Sequence, residues 1–229
     1  GYFADSSFNA AELRALGYED VRVLPVMFRL RYRRHEPPGG DHPEVLFVGR
    51  MAPNKGHTDL IKIFSFLRSL VPGVRLIITG ETPPGLENYR AELEQLIGVL
   101  GLKAEVEFTG FLSQDELEER YRRASLFLCA SRHEGFCVPL LEAMQCGVPV
   151  LAYASETSAV EETLGGAGAI FRQMDHARVA EMAARILTDE ALANAIRAAE
   201  STRMAAYDSR RIFQNMIRTM LEALGDSGY

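Results

Sequence analysis

Two carboxylates lie close together in the stretch from Ser131 to Glu142, and this stretch has the residue types of a ligand site. The apolar run before it, residues 126–130, is typical of a buried strand. Pro139 suits the first helical position, where no amide donor is needed. The spacing therefore places Glu134 in a loop and Glu142 about one turn into a helix. Carboxylates accept hydrogen bonds from hydroxyl groups, so this pair suits a ligand rich in hydroxyls.

Backbone amides should be available at the same helix start. The first amides of a helix have no partner within the helix, and the helix dipole favours an anion there. Gly135 carries no side chain, so a ligand can approach the amides of Gly135, Phe136 and Cys137 closely. An anionic group next to the hydroxyls would fit these donors. The alternative is that both glutamates only cap the helix or face solvent.

A second loop, Gly49–Gly56, supplies two cations, Arg50 and Lys55. It has neither the GxGxxG spacing of a dinucleotide-binding fold nor the GxxxxGK[ST] spacing of a P-loop. An arginine can bind two phosphate oxygens at once, and a lysine adds a mobile point charge. Beside the carboxylate loop, these cations predict a nucleotide-sugar site with the diphosphate between the two loops. The alternative is that they are ordinary exposed loop charges.

The elements that would position these loops alternate regularly along the chain. Apolar runs are each followed by a segment with helical spacing, which predicts an α/β fold with a doubly wound parallel sheet covered on both faces. In such sheets ligands bind beyond the carboxyl ends of the strands, where the strand order reverses. The predicted strands are 45–49, 74–80, 104–110, 126–130, 148–153 and 167–171, and the last helices are 175–188, 190–206 and 209–224.

Local signals mark several helix ends. Ser113 with Glu116, and Ser158 with Glu161, have the spacing of a capping box. Gly17 follows an N-terminal helical segment and suits the position just beyond its last turn.

Other polar loops carry weaker signals. Phe111 and Leu112 follow a predicted strand, and their backbone groups could read the edge of a base. His133 is interpreted as a packing or surface residue. The spacing of Cys137 and Cys146 is not that of a zinc site, so the three cysteines are interpreted as structural, and we expect no metal.

Composition excludes several function classes. A net charge of −6 over 229 residues argues against nucleic-acid binding, and no apolar run reaches membrane-spanning length. Sparse cysteines and the lack of a visible signal peptide suggest a cytoplasmic protein. Residues 29–34 are basic. We interpret them as a solvated or interdomain segment, with a peripheral contact to an anionic membrane surface as the alternative. A linker at 36–43 suggests a connector over 1–42 and one domain over 43–229.

These motifs resemble a known family. Phe47–Gly56, Leu76–Gly80, Val106–Gly110 and above all Glu134–Glu142 resemble the C-terminal, donor-binding domain of retaining glycosyltransferases of the GT-B fold, in the family 4 group. The last segment is similar to that family's E-x7-E motif. The resemblance covers about residues 43–206, and residues 3–28 look like the family's last N-terminal-domain helix and connector.

The resemblance implies roles for individual residues. Arg50 and Lys55 would hold the donor diphosphate and stabilise the leaving nucleotide, and Glu134 would contact the transferred sugar. Glu142 would bind the ribose hydroxyls. Transfer would retain the anomeric configuration and require no metal or other cofactor. The implied catalytic residues are Glu134, Arg50 and Lys55, and the implied substrate-binding residues are Gly49, Gly135, Phe136, Cys137, Val138, Glu142, Phe111 and Leu112.

Two departures and one missing part qualify this resemblance. The family often has glycine where Cys137 stands, and its glycine-rich segment is replaced by Ser155–Glu162, with Glu161 in the acidic position. The acceptor-binding N-terminal domain has no room in this chain. We therefore expect the chain to bind the donor but to transfer poorly or not at all without that domain.

Several functions remain open at this point. The leading one is transfer of a hexose from a GDP- or UDP-sugar to a glycan or lipid-linked acceptor, in surface polysaccharide assembly. The loop Arg50–Lys55 resembles that of some polysaccharide mannosyltransferases, which suggests GDP-mannose as the donor. The enzyme would be cytoplasmic, with peripheral contact at the inner membrane face as a variant. A non-catalytic nucleotide-sugar-binding module is the alternative, and a nucleotide-sugar epimerase is disfavoured because the E-x7-E segment is not its signature.

Overall fold

The computed structural model describes residues 1–24, 26 and 42–225. The strands are Tyr2–Ala4 (β1), Val21–Val23 (β2), Glu44–Val48 (β3), Arg75–Thr79 (β4), Val106–Gly110 (β5), Ala124–Cys129 (β6), Val150–Tyr153 (β7) and Ala169–Phe171 (β8). The helices are Ser7–Ala15 (α1), His57–Leu70 (α2), Glu87–Val99 (α3), Gln114–Arg123 (α4), Val138–Gln145 (α5), Val160–Leu164 (α6), His176–Thr188 (α7), Glu190–Met204 (α8) and Ser209–Gly225 (α9). Short 3₁₀ turns lie at Pro53–Lys55 and Ala205–Tyr207.

A six-stranded sheet in the order β5-β4-β3-β6-β7-β8 forms the centre of the molecule. All its neighbouring strands are parallel. The central strands are buried on both faces, which explains why their sequences are apolar without alternation. The predicted doubly wound parallel sheet is confirmed. The strand order reverses between β3 and β6, so the loops after these two strands lie side by side.

Helices with one apolar face cover the sheet. In α2 the apolar stripe of Leu60, Ile63, Phe64 and Leu67 is fully buried. Burying each such side chain contributes about 1.5–3 kcal/mol relative to exposure. Helix α2 packs against α3 and α7, whereas α5 packs against α6 and α8. No helix among the described residues is both long and apolar enough to cross a bilayer.

The N-terminal residues form a small unit of their own. Strands β1 and β2 pair in parallel, in a sheet separate from the central one, and Ala4, Ala10 and Val21 form its core. Helix α1 begins after Ser6, and Gly17, with φ of 91°, follows its end as the sequence predicts. The predicted boundary at residue 42 stays a prediction. The basic segment 29–34 and most of the linker lie outside the described residues.

One predicted helix start is wrong. The Ser113–Glu116 capping box is present on α4, but α6 begins at Val160 with no side-chain cap. The Ser158 hydroxyl accepts from the amide of Val160 over 3.3 Å and not from Glu161, and Ser158 itself forms an isolated parallel bridge with Glu134. Smaller shifts concern α5, which starts at Val138 so that Pro139 is its second residue, and four strands. Strands β5, β7 and β8 start two residues later than predicted, whereas β6 starts two residues earlier.

Helix α8 carries a fully buried carboxyl group, Glu200. Its Oε1 accepts a hydrogen bond of 2.8 Å from the amide of Val150, the first residue of β7. Its Oε2 is buried and has no partner among the described residues. Burial raises the pKa of Glu200 to about 8, although the bond from Val150 and the charge of Arg197 oppose the shift. The carboxyl group is therefore protonated at neutral pH in the folded chain.

This pKa predicts an unusual pH dependence of stability. The folded state holds a proton that the unfolded state releases near its ordinary value of 4.5. The contribution is therefore complete below that value and is lost as the pH rises towards 8. We expect the free energy of unfolding of the parent to fall between pH 5.5 and 7.5. This fall should exceed that of Glu200→Gln by about 2–3 kcal/mol. Urea denaturation of both proteins at several pH values measures this, and parallel profiles would contradict the assignment.

Candidate donor-binding site

The loops after β3 and β6 meet beyond the carboxyl ends of the two central strands. Gly56 ends the first loop with φ of 70°, and a Cβ built on it would lie only 2.1 Å from the carbonyl oxygen of Ala130. The amide of Arg132 donates to the carbonyl of Asn54 over 2.8 Å. Glycine is required at position 56 because the two backbones touch there. The predicted cationic and carboxylate loops are thus neighbours.

Lys55 and Glu134 form a direct ion pair across these loops. Lys55 Nζ lies 2.7 Å from Glu134 Oε1 and 2.8 Å from Oε2, so one ammonium contacts both carboxylate oxygens. The Glu134 side chain is only 9% exposed and that of Lys55 17%, so water screens the pair weakly. Sequence reasoning placed Lys55 at the phosphates and Glu134 at the sugar without foreseeing their contact. The structure brings the two groups together.

Arg50 lies in the same loop as Lys55 but is arranged differently. Its side chain is exposed, and within the described residues it makes no hydrogen bond or ion pair. The neighbouring Met51 is fully buried, and its amide donates to the carbonyl of Glu81 in the loop after β4. Gly49 is likewise fixed, because its amide donates to the Thr79 carbonyl. A rigid backbone therefore presents an unpaired guanidinium at this edge of the sheet.

Three segments donate hydrogen bonds to backbone carbonyls of the Glu134 loop. The Glu134 carbonyl accepts from Ala159 over 2.7 Å, and the Ser6 hydroxyl donates to the Gly135 carbonyl over 2.6 Å. The Thr163 hydroxyl donates to the Phe136 carbonyl. These bonds engage carbonyl groups only. In the part of the chain that the structure describes, nothing accepts a hydrogen bond from the amides of Gly135, Phe136 and Cys137, so these donors remain available to an anion.

Cys137 has a backbone conformation that is rare outside glycine. Its φ is 66° and its ψ 65°, in the left-handed region, directly before α5. This geometry explains why a glycine would be accommodated at this position. The Cys137 thiol is buried beside Cys129, the last residue of β6. Cys129 lies in the predicted strand 126–130, and nothing in the sequence indicated that its thiol lies next to that of Cys137.

The remaining predicted site residues surround these loops. Glu142 lies one turn into α5, is half-buried, and accepts a hydrogen bond of 2.8 Å from the Tyr121 hydroxyl. Val138 opens the same helix and is partly buried. Phe111 and Leu112 follow β5, two strands away from β3, and the Phe111 side chain is 78% exposed. Their predicted roles in base and ribose binding stay predictions.

A polar network around the buried Asp59, beside the site, was missed from the sequence. Asp59 of α2 accepts from Arg132 at 2.8 Å and contacts His176 of α7 at 3.0 Å. Burial alone would raise the pKa of Asp59, but the hydrogen bonds of His176 and Arg132 outweigh it and lower the pKa. The contact partners are 73 and 117 residues from Asp59 along the chain, so only the fold reveals them. This network links α2, the Glu134 loop and α7.

Two histidines differ in environment. His57, at the start of α2, is fully buried between Phe47 and Tyr89. Burial lowers its pKa to about 4, so it is neutral at physiological pH. His133 is exposed and stacks edge-to-face on Phe8 of α1, as expected for a surface or packing residue.

Comparison with known proteins identifies the family. The family model for glycosyl transferases group 1 matches residues 28–203. A GDP-mannose-dependent alpha-(1-6)-phosphatidylinositol monomannoside mannosyltransferase of Mycobacterium tuberculosis is 33% identical over 213 residues, which cover 86% of this chain and 52% of that protein. A mannosylfructose-phosphate synthase of Agrobacterium fabrum is 36% identical over 138 residues, covering 59% of this chain and 30% of that protein. The chain thus spans about half or less of these relatives.

Solved structures share the fold. Anabaena Alr3699/HepE in complex with UDP and glucose superposes with a TM-score of 0.85 at 23% identity, over 96% of this chain and 62% of that one. The C-terminal domain of a glycosyl transferase group 1 family protein (LpcC) from Francisella tularensis superposes with a TM-score of 0.64 at 24% identity, over 79% of this chain and 95% of that one. Together with the matched family model, these similarities show that the chain belongs to the group 1 glycosyltransferases, with the Rossmann-like architecture of the GT-B fold.

Proposed function

We propose that this chain is the donor-binding domain of a retaining glycosyltransferase, which transfers a hexose from a nucleotide-sugar to a glycan or lipid-linked acceptor. The observation that carries the proposal is the pairing of Lys55 with Glu134 where the strand order reverses, next to the unpaired Arg50. The pair consists of the Glu134 carboxylate and the Lys55 ammonium, and each can take a different partner when a ligand binds. A nucleotide-sugar offers a partner to each of them.

Donor binding would exchange the partners of this ion pair. The diphosphate would take the Lys55 ammonium, while sugar hydroxyls would replace it as donors to the Glu134 carboxylate. Arg50 and the amides of Gly135, Phe136 and Cys137 would complete the anion site. Charge grows on the diphosphate as the glycosidic bond breaks, so donors fixed in advance stabilise the transition state more than the ground state. We propose that this needs neither a metal ion nor a cofactor.

We propose GDP-mannose as the donor. The Mycobacterium tuberculosis relative is named as GDP-mannose-dependent, and a relative from Xanthomonas campestris, 29% identical over 182 residues, as a GDP-mannose:cellobiosyl-diphosphopolyprenol alpha-mannosyltransferase. A UDP-sugar is the alternative, because the HepE structure contains UDP and glucose. The acceptor named for the Xanthomonas relative, a lipid-linked sugar, supports a role in surface polysaccharide assembly in the cytoplasm, with contact at the inner membrane face.

Catalysis should need a second domain for the acceptor. The chain spans 62% of the HepE chain and half of the Mycobacterium relative. We therefore expect these 229 residues alone to bind the donor and to transfer poorly or not at all. Sustained transfer by this chain without an added partner domain would contradict that expectation.

Replacing Arg50 by alanine in the full-length protein tests the proposed chemistry. Loss of one fixed donor to a developing anion lowers kcat by about 10²–10³-fold. Arg185→Ala is the matched control, since Arg185 is exposed on α7 and, among the described residues, its side chain contacts only the partly exposed Asp189. Transfer is measured by product formation from GDP-mannose and UDP-sugars, with the product anomer read by NMR. Equal activity of the two variants would contradict the role of Arg50.

A non-catalytic nucleotide-sugar-binding module is the second candidate, since the Lys55–Glu134 pair and Arg50 could hold a nucleotide-sugar without transferring its sugar. Glu134→Ala in the full-length protein separates the two. Lost turnover with retained nucleotide affinity supports the enzyme. A full-length parent that binds nucleotide and shows no transfer supports the module.

A further inference from the structure

Cys129, Glu134 and Cys137 form a buried cluster whose two thiols have no role in the proposed sugar transfer. Their two sulfur atoms and a carboxylate oxygen all lie within 4.8 Å of one another. Cys129 is 1% exposed, Cys137 7% and Glu134 8%. The cluster is assembled by the end of β6, the loop after it and the residue before α5. No step of the proposed transfer uses the Cys129 thiol.

A fourth polar group adjoins the cluster. Ser131 is fully buried, and its hydroxyl contacts the Cys129 thiol. Within the described residues this hydroxyl has no nitrogen or oxygen partner. Buried polar groups are nearly always satisfied, so this hydroxyl lacks a partner that a ligand bound at the cluster could supply.

The donor set matches the preferences of a thiophilic divalent cation. Zinc takes cysteine sulfur and carboxylate oxygen, commonly three protein ligands with one position left for water. Two thiols would release two protons to solvent on binding, giving two thiolates and one carboxylate. Their three negative charges would be balanced by a divalent ion and the Lys55 ammonium, which already touches Glu134. The cluster would therefore stay neutral with the metal bound, which limits the cost of burying it.

We propose that Cys129, Glu134 and Cys137 form a binding site for a thiophilic divalent cation of the Zn²⁺ type. Glu134 and Cys137 keep a small exposed fraction of 8% and 7%, and Glu134 is in direct contact with Lys55 of the neighbouring loop. Bound metal occupies the Glu134 carboxylate, whose oxygens are then no longer free to accept hydrogen bonds from sugar hydroxyls. It thereby competes with the nucleotide-sugar. This competition rests on the proposed function, whereas the metal site itself rests only on the geometry of the cluster.

Cadmium titration of the 229-residue chain, kept reduced with a phosphine, tests the site directly. Cadmium–thiolate bonds give ultraviolet charge-transfer absorption, so binding is read without any activity assay. We expect one Cd²⁺ per parent chain and Zn²⁺ competition for it. Cys129→Ser and Cys137→Gly should lose the absorption. Glycine is chosen at position 137 because it adopts the observed φ of 66° without strain, so this variant should fold.

Cys146→Ser is the matched control, since Cys146 is the third buried thiol and lies outside the cluster. It should bind cadmium as the parent does, and Glu134→Gln should bind at least about tenfold more weakly because it loses a charged ligand. Thermal melts of each variant establish that it is folded. The proposal is overturned if the parent binds no cadmium, if folded Cys137→Gly binds as tightly as the parent, or if Cys146→Ser abolishes binding.

Discussion

Gly56→Ala should lower the free energy of unfolding by about 4 kcal/mol or more, close to the whole stability of a marginal domain. Gly56 has φ of 70°, which costs an alanine about 1–2 kcal/mol. Its Cβ would also meet the Ala130 carbonyl oxygen at 2.1 Å and the carbonyl carbon at 2.8 Å. Both are backbone atoms of Ala130, directly after the buried strand β6, so relieving the clash requires the backbone to move. Urea denaturation followed by circular dichroism measures the loss.

Gly85→Ala separates the two causes. Gly85 also has a positive φ, of 85°, but a Cβ there would meet nothing within 4 Å. It should therefore cost only about 1–2 kcal/mol, the strain of the left-handed conformation. The difference between the variants measures how closely the β3 and β6 loops touch. Equal losses would mean that the loops can separate without cost, and the site geometry would then be wrong.

Lys55→Met should lower the free energy of unfolding by about 3 kcal/mol. It leaves the Glu134 carboxylate, 8% exposed, without its cation, and an unpaired buried charge is expensive. Glu134→Gln should cost less, about 1 kcal/mol, because the 17% exposed Lys55 can turn towards water. The double variant should cost little more than Glu134→Gln alone. The coupling energy of this cycle, about 3 kcal/mol, isolates the ion pair from other effects.

The same cycle on Arg185 and Asp189 is the control. That pair is joined at 3.2 Å but its side chains are 73% and 36% exposed, so its coupling energy should be about 0.3–0.5 kcal/mol. A coupling energy for Lys55 and Glu134 as small as this would show that water screens their contact. The proposed exchange of partners on donor binding would then lose its physical basis.

The fold followed from the sequence because local signals agreed with one another. Strands buried on both faces need unbroken apolar runs, and helices such as α2 need an apolar stripe, so both patterns are visible without tertiary information. The capping box predicted at Ser158 is absent because this segment makes tertiary contacts that local spacing does not show. Ser158 and Ala159 pair with Glu134, in the loop after β6.

The site was predicted in its residues but not in its contacts. Loop position after β3 and β6 pointed to Lys55 and Glu134, yet their pairing spans 79 positions and depends on the close approach at Gly56. Cys129 was hidden because a cysteine in a buried strand looks like any small apolar residue. Asp59 was hidden because its partners, Arg132 and His176, come from distant elements. Spacing in sequence reveals none of these contacts.

The most direct test of the donor site is calorimetric titration of the chain with GDP, UDP, ADP and their sugars. We expect the nucleotides of one of these three bases to bind with one molecule per chain. Arg50→Ala should weaken that binding by at least about tenfold, since it removes a forked phosphate contact. Arg185→Ala should leave the affinity unchanged. Negligible affinity for every nucleotide, or equal affinity of the parent and Arg50→Ala, would contradict a diphosphate site between the β3 and β6 loops.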